Sequence, residues 1–250
     1  MGNWLASPWQ IALSATVPVA MALLLFLLER RGPLARPLQE SKGLVAPYFS
    51  AIAVVFSLFA ALLASDAWRK DTAARAAVEA EADAVRQIVH VARVAGIGTE
   101  VLPTLKSYIE AASAEDPYSA EIEADRGRTD KVLERLLTAI VRNQTLDSTS
   151  RSLLASSAQS LMKAHDDRLH LATDVTALMK WVTIIVLGTI TQVALLLVHI
   201  GNRRAQRVAV GLFTVTFSFC LIVVAIFDTP FETILAGEPG ATLGVVLRTL

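Results

Sequence analysis

The chain has 250 residues, 54% of them hydrophobic and 18% charged, with 23 Lys+Arg balanced by 23 Asp+Glu. That is more apolar than a soluble domain of this length, and zero net charge leaves no global field to attract nucleic acid, so no nucleic-acid partner is expected. A single cysteine, Cys220, excludes an intrachain disulfide.

The apolar residues fall in four blocks. No Asp, Glu, Lys or Arg occurs in Met1–Leu28, Gly43–Ser65, Trp181–Asn202 or Val208–Phe227. Each block contains the roughly 20 residues that cross about 30 Å of hydrocarbon. Four transmembrane helices in a lipid bilayer are therefore expected, in an all-α chain. The first runs from about Trp9 to Leu28. It lacks a basic n-region and a small-residue cleavage site, so it reads as a retained helix. The loop ERRGPLARPLQESKG follows, with Arg30, Arg31, Arg36 and Lys42 against Glu29 and Glu40. Residues 1–65 thus hold two spans and a basic connection.

The second span, APYFSAIAVVFSLFAALLAS, passes without Gly or Pro into DAWRKDTAARAAVEAEADAVRQIVHVA. The roughly 48 residues between Pro47 and Gly96 can be one helix of roughly 72 Å at 1.5 Å per residue. Its membrane half carries an aromatic-aliphatic stripe of Phe49, Ile52, Phe56, Phe59 and Leu63. Beside it lies a small-residue stripe of Ser50, Ala53, Ser57, Ala60 and Ala64, the usual face for close helix packing.

Residues 66–179 read as a soluble helical insert. Val78, Glu81, Val85, Ile88, Ala92 and Ala95 repeat at three- and four-residue steps, a heptad-like seam. Gly96-Ile97-Gly98 ends that helix, and Pro103 is expected to open a shorter one with Leu102, Leu105, Ile109 and Ala112 on one face. An acidic stretch broken by Pro117 and Gly127 follows. Beyond Gly127, Val132, Leu133, Leu136, Leu137 and Ile140 mark a third helix ending near Asn143. Asp147 or Ser148 can cap the next helix. With no Gly or Pro before Gly188, that helix is expected to run straight into the third span. The insert is then a helical bundle whose two long outer helices are continuous with membrane helices. Residues 180–228 hold the third and fourth spans, joined by HIGNRRAQR. The tail, 229–250, is expected to fold back along the membrane surface or the insert.

Chemistry is sparse. The chain has no Gly-rich phosphate loop, no G-x-S-x-G, no H-E-x-x-H and no Cys pair, so neither an enzyme nor a cofactor is expected. His165 and His170 stand about 140° apart around a helix, which disfavours one metal site using both, and no metal is expected. Glu81 occupies the apolar seam, where a carboxylate must be paired or protonated. It lies 15 residues beyond Asp66, and His165 lies 15 residues before Lys180, so an antiparallel pair of helices sets them at similar depth. A Glu81–His165 pair would respond to pH. The alternatives are that Glu81 faces water or pairs with Arg86 or Arg168.

Several landmarks occur in one order: the second span running into AWRKDTAARAAVEAEADAV, then Tyr108, Glu115-Asp116-Pro117, HDDRLHLA before the third span, and Asp228-Thr229-Pro230-Phe231-Glu232. Together they resemble the bacterial bestrophin-like DUF4239 family. In that family the corresponding positions tend to read E-A-N-A-L, E-W-P and D-R-P-F-S-G; here the Trp, the tail Arg and the Gly are missing. The resemblance implies an oligomeric channel, with a homopentamer favoured, passing an ion that is expected to be an anion. Phe49, Ile52, Phe56, Phe59 and Leu63 of the second helix would line its pore and gate by dewetting. Calcium control is not implied, because no dense acidic cluster is present. The alternative is a non-conducting sensor or assembly protein whose helical bundle binds a ligand or partner.

The two short loops between spans carry seven Lys/Arg, whereas residues 66–179 carry 14 Lys/Arg against 18 Asp/Glu. The positive-inside rule therefore expects an inner-membrane protein with its insert on the periplasmic side, although bestrophins hold theirs in the cytoplasm. A cysteine placed at Ser119 is expected to react with an impermeant maleimide in intact cells. Reaction only after lysis would overturn the outside placement.

Overall fold

The computed structural model describes residues 8–31, 46–115, 122–174, 178–228, 230–231, 234–235 and 237–248. Among them all regular structure is α-helical: α1 (Pro8–Arg31), α2 (Ala46–Val94), α3 (Gly98–Ala114), α4 (Ile122–Arg142), α5 (Ser148–Thr173), α6 (Leu178–Val198), α7 (Arg203–Asp228) and α8 (Glu238–Arg248). Four candidate stretches are long and apolar enough to cross a membrane: Trp9–Glu29, Phe49–Val94, Ser148–Val198, which takes in residues outside the described set, and Arg203–Asp228. In the third, the uncharged residues 181–202 put the apolar part in α6. The chain forms two compact units, residues 1–69 with 175–229 and residues 70–174 with 230–250. The loop positions Arg36, Glu40 and Lys42, the pair Asp116-Pro117, and Thr229 and Glu232 lie outside the described residues.

In the first unit α7 packs along α1 and α6. Its core joins Phe56 and Leu63 of α2 to Trp181 and Ile184 of α6 and to Phe217, Leu221 and Val224 of α7. A second cluster gathers Ala22, Leu195, Leu196 and Val210. Gln192 and Thr214 are buried polar residues of this unit that bond to one another. The Gln192 amide donates to the Pro18 carbonyl at 3.0 Å and to Thr214 Oγ1 at 2.9 Å. Gly188 lets the Phe217 ring lie against the α6 backbone, since a Cβ there would come within 2.2 Å of Phe217 Cζ.

The second unit is built on the seam of α2. Val78, Glu81, Val85, Ile88 and Ala92 are buried. From Val85 onward they join Val101, Leu105 and Ile109 of α3, Leu133, Leu136 and Ile140 of α4, and Leu154 and Leu161 of α5. The turn after α2 is a glycine cap. Gly96 has φ +73°, a left-handed conformation, and the Ile97 amide donates to the Ala92 carbonyl at 3.0 Å. Asp147 caps α5, its carboxylate accepting from the Thr149 and Ser150 amides at 2.9 and 3.0 Å.

Three boundaries differ from those expected. α3 opens at Gly98, because the Glu100 and Val101 amides close a turn on the Ile97 carbonyl ahead of Pro103. α4 opens at Ile122 and runs through Gly127, an interior glycine that costs only about 1 kcal/mol against alanine. α5 does not continue into α6. The Thr173 hydroxyl takes the Leu169 and His170 carbonyls, and Asp174 leaves the helix with ψ 84° while its amide caps His170. Of the two long helices expected to be continuous, α2 is unbroken and the other is interrupted. The tail joins the second unit, where α8 packs on α3 through Leu243 and Val246. Phe231 and Leu235 cover Ala74, Val78 and Ala172.

Gly188→Ala should destabilise the detergent-solubilised protein by about 1–3 kcal/mol, the usual cost of overpacking. Gly211→Ala, where a Cβ would meet nothing within 4 Å inside α7, should hold or raise the unfolding temperature. Equal melting of the two variants would refute the close Gly188–Phe217 contact.

Candidate functional site

Two features carry the functional argument, one in each unit. The first is the outer face of α2. Phe56 is buried between Phe213 and Phe217, with ring centroids 5.2 and 5.5 Å away in edge-to-face arrangements. Leu63 is buried in the same core. Both side chains are packed inside the protomer, where the sequence reading expects them to face a pore. Aromatic quadrupole contacts and apolar burial inside the protomer claim that face first. Phe49 and Phe59 are half-buried against the two membrane-unit clusters, and Ile52 is also half-buried. Of the small stripe, Ser50 and Ser57 are exposed, whereas Ala53, Ala60 and Ala64 are half-buried.

The face opposite the Phe56 core is open. Val54, Leu58 and Leu62 are 65%, 63% and 61% exposed, and Ser50, Ser57, Ala61 and Ser65 share that side. Ser57 returns its hydroxyl to the Ala53 carbonyl at 2.7 Å, which satisfies its donor within the helix. Among the described residues this strip of aliphatic and hydroxyl side chains is exposed.

The second feature is an ionic cluster enclosed by α2, α3 and α5. The seam periodicity of α2 turns Glu81 inward. Spacing of three residues on α5 puts His165 and Arg168 on one face, and α3 supplies Tyr108 and, at its C-terminal cap, Glu115. All five residues are buried. Arg168 Nε donates to Glu81 Oε2 at 2.7 Å, and its Nη2 lies 3.3 Å from Glu115 Oε2. His165 Nδ1 lies 3.2 Å from Glu81 Oε1, and its Nε2 lies 3.5 Å from Glu115 Oε2. The Tyr108 hydroxyl donates to Glu81 Oε1. A cavity of about 370 Å³ adjoins the cluster, with Glu115, Arg168, Phe231 and Leu235 among its lining residues.

The electrostatics follow from this geometry. Burial opposes ionisation of Glu81, yet the His165 hydrogen bond, the Arg168 charge and the Tyr108 hydroxyl together outweigh it and hold its carboxyl below the ordinary value. Burial pushes the Tyr108 phenol well above its ordinary range, and the Glu81 charge and their hydrogen bond push the same way, so it stays a donor. Arg168 Nη2 also lies 3.3 Å from His165 Nδ1, so the guanidinium and the imidazole are both set between the two carboxylates.

The structure thus sets Glu81 against both His165 and Arg168, two partners that the sequence offered as alternatives. Arg86 instead bonds Asp83 on the exposed side of α2. Tyr108 and Glu115 stood out only as landmarks; their place in the cluster needs the register of α3 against α2, which spacing along one helix does not carry. Among the described residues no group of three or more His, Cys, Asp or Glu has metal-binding geometry.

Because the folded Glu81 carboxyl lies below its ordinary value of 4.5, its ionised form stabilises the fold at and above that pH, and the contribution is lost as pH falls through the folded value. Glu81→Gln should therefore lower the unfolding temperature at neutral pH and flatten its decline under acid; parallel curves would contradict the assignment. Arg168→Met strands two buried carboxylates and should cost about 3–5 kcal/mol. Adding Glu81→Gln should restore part of that loss, a non-additivity that separates the cluster from independent packing effects.

A family description for the Bestrophin-like domain matches residues 16–236. Among solved structures, a bacterial bestrophin homologue from Klebsiella pneumoniae matches with a TM-score of 0.67 at 15% sequence identity, covering 96% of this chain and 95% of that one. Two single-substitution variants of that homologue match likewise, one with a TM-score of 0.66 at 15% identity over 96% and 97% of the two chains. The other has a TM-score of 0.68 at 13% identity over 96% of each. At such identities the likeness is one of fold. No curated protein sequence matches the chain. An all-helical membrane protein whose family match runs from α1 into the tail, the chain belongs to the bestrophin-like family.

Proposed function

We propose that the protein is an oligomeric membrane channel, assembled as a closed ring with five subunits favoured, in which the open face of α2 lines the conduit. The observation that carries this reading is that face itself. Family membership supplies the channel precedent, and Val54, Ser57, Leu58, Ala61 and Leu62 are exposed on a membrane-length helix whose opposite side carries the buried Phe56 and Leu63. Aliphatic and hydroxyl groups around an axis form a narrow path that conducts when hydrated and closes by dewetting. Phe56 and Leu63, held in the protomer core, support that wall from behind. Anions are the proposed permeant species. Glu81, His165 and Arg168 join α2 to α5, and the proposed role of the Glu81–His165 pair is to make that junction respond to pH. The loop charges favour a helical insert outside the cytoplasm, against the bestrophin resemblance, and the labelling experiment decides between them.

A second reading, a non-conducting sensor, draws on the cavity beside Arg168 and Glu115. It requires a stoichiometric partner to carry its output.

Purified protein in planar bilayers should give unitary conductance. In a Cys220→Ser background, a thiol reagent should block Ser57→Cys strongly and leave Phe56→Cys nearly untouched, since only the former is exposed. Absence of conductance in every preparation would refute the channel reading. Conductance with block at Phe56→Cys alone would refute the lining face.

A further inference from the structure

We infer that Arg69 sets the charge selectivity of this conduit, favouring anions at the end where α2 leaves the membrane. The inference rests on the channel reading above and concerns residues of the first unit only. Between Phe49 and Ser65, α2 carries no charge, so a lining helix cannot discriminate by charge within the span. The first charged positions are Asp66 and Arg69.

Asp66 is shared by two cations. Arg69 Nη2 donates to Asp66 Oδ1 at 2.7 Å, and Lys180 of α6 donates to Asp66 Oδ2. One carboxylate against two cations leaves one positive charge per protomer. It is presented mainly by Arg69, whose side chain is 77% exposed against 47% for Lys180. At 100° per residue Arg69 follows Leu58, Leu62 and Ser65 on the open side of α2. Two other carboxylates close spans in this unit: Asp228, at the end of α7, is buried, and Glu29, near the end of α1, accepts from Gln206 Nε2 at 3.2 Å. A ring of subunits repeats the excess charge around the axis. At about 0.1 M salt the screening length is about 10 Å, so guanidinium groups at a narrow mouth act together.

Lys180 has a definite part. By holding Asp66 from the α6 side it prevents that carboxylate from neutralising Arg69 alone. Lys180→Gln should therefore shift selectivity in the same direction as Arg69→Gln, although Lys180 lies on another helix.

The test is the reversal potential in planar bilayers under a salt gradient, read as the chloride-to-sodium permeability ratio. Arg69→Gln should lower that ratio at least about threefold, the effect of a change near one kT at the mouth. Arg69→Glu should lower it further, Lys180→Gln should lower it, and Arg69→Lys should preserve it. Raising the salt concentration should shrink the difference between wild type and Arg69→Gln. Channels that conduct with an unchanged ratio in Arg69→Gln would overturn the inference and leave the channel reading intact. A larger change from Arg204→Gln, at the start of α7 and off the α2 face, or from Glu79→Gln, farther along α2, would also overturn it. Silence of the wild type itself would instead defeat the channel reading. If Arg69→Gln fails to assemble, Lys180→Gln and Arg69→Lys still decide, because one removes a charge and the other keeps it.

Discussion

A carboxylate in the middle of an apolar helical seam is the constraint on which the second unit depends. Glu81 occupies a position that the periodicity of α2 turns inward, and water cannot reach it there. Every nearby polar choice follows. Arg168 supplies a guanidinium fork, Tyr108 a hydroxyl that burial keeps protonated, His165 a ring bridging two carboxylates, and Glu115 a second acceptor for the same arginine. Apolar contacts such as Ile88 with its neighbours on α3 and α4 contribute more free energy, but they are non-directional and tolerate sliding. The ionic contacts do not, so the cluster fixes the register of α2, α3 and α5. A buried pair of this kind is weak evidence for added stability and better evidence for one arrangement over its neighbours.

The first unit obeys the opposite rule. From Phe49 to Ser65 its part of α2 is uncharged, and its order comes from shape: edge-to-face rings around Phe56, a glycine that admits Phe217, and a Gln192–Thr214 hydrogen bond. A protomer packed in this way sets Phe56, Phe213 and Phe217 against one another. The remaining face of α2, aliphatic with interspersed serines, is available to lipid, to other subunits or to a hydrated path. Membership in the bestrophin-like family supports the last of these uses.

Much of this was legible in the sequence because it depends on local patterning. Uncharged runs identified the apolar helices, the absence of Gly and Pro identified unbroken α2, and Asp147 and Gly96 marked a start and a stop through their own side chain or its absence. Three-residue spacing put His165 and Arg168 on one face. Other features depend on facts that a periodicity does not contain. An aromatic stripe on a membrane helix can face a lumen, lipid or a sister helix. Only the positions of Phe213 and Phe217 reveal that Phe56 faces inward. Likewise the end of α5 at Thr173 turns on hydroxyl and amide competition for two carbonyls, since threonine and aspartate are ordinary residues in a helical pattern. Tyr108 and Glu115 became part of a site only through the packing of α3 against α2.

The central claim is that the open face of α2 borders an axial conduit in a ring of identical subunits. A single-particle reconstruction of the full chain in lipid nanodiscs tests it most directly. The account predicts a closed ring with an axial cavity bordered by Val54, Ser57 and Ala61, and with Phe56 buried within each subunit. A monomer, or a ring in which those three residues face lipid, would contradict it.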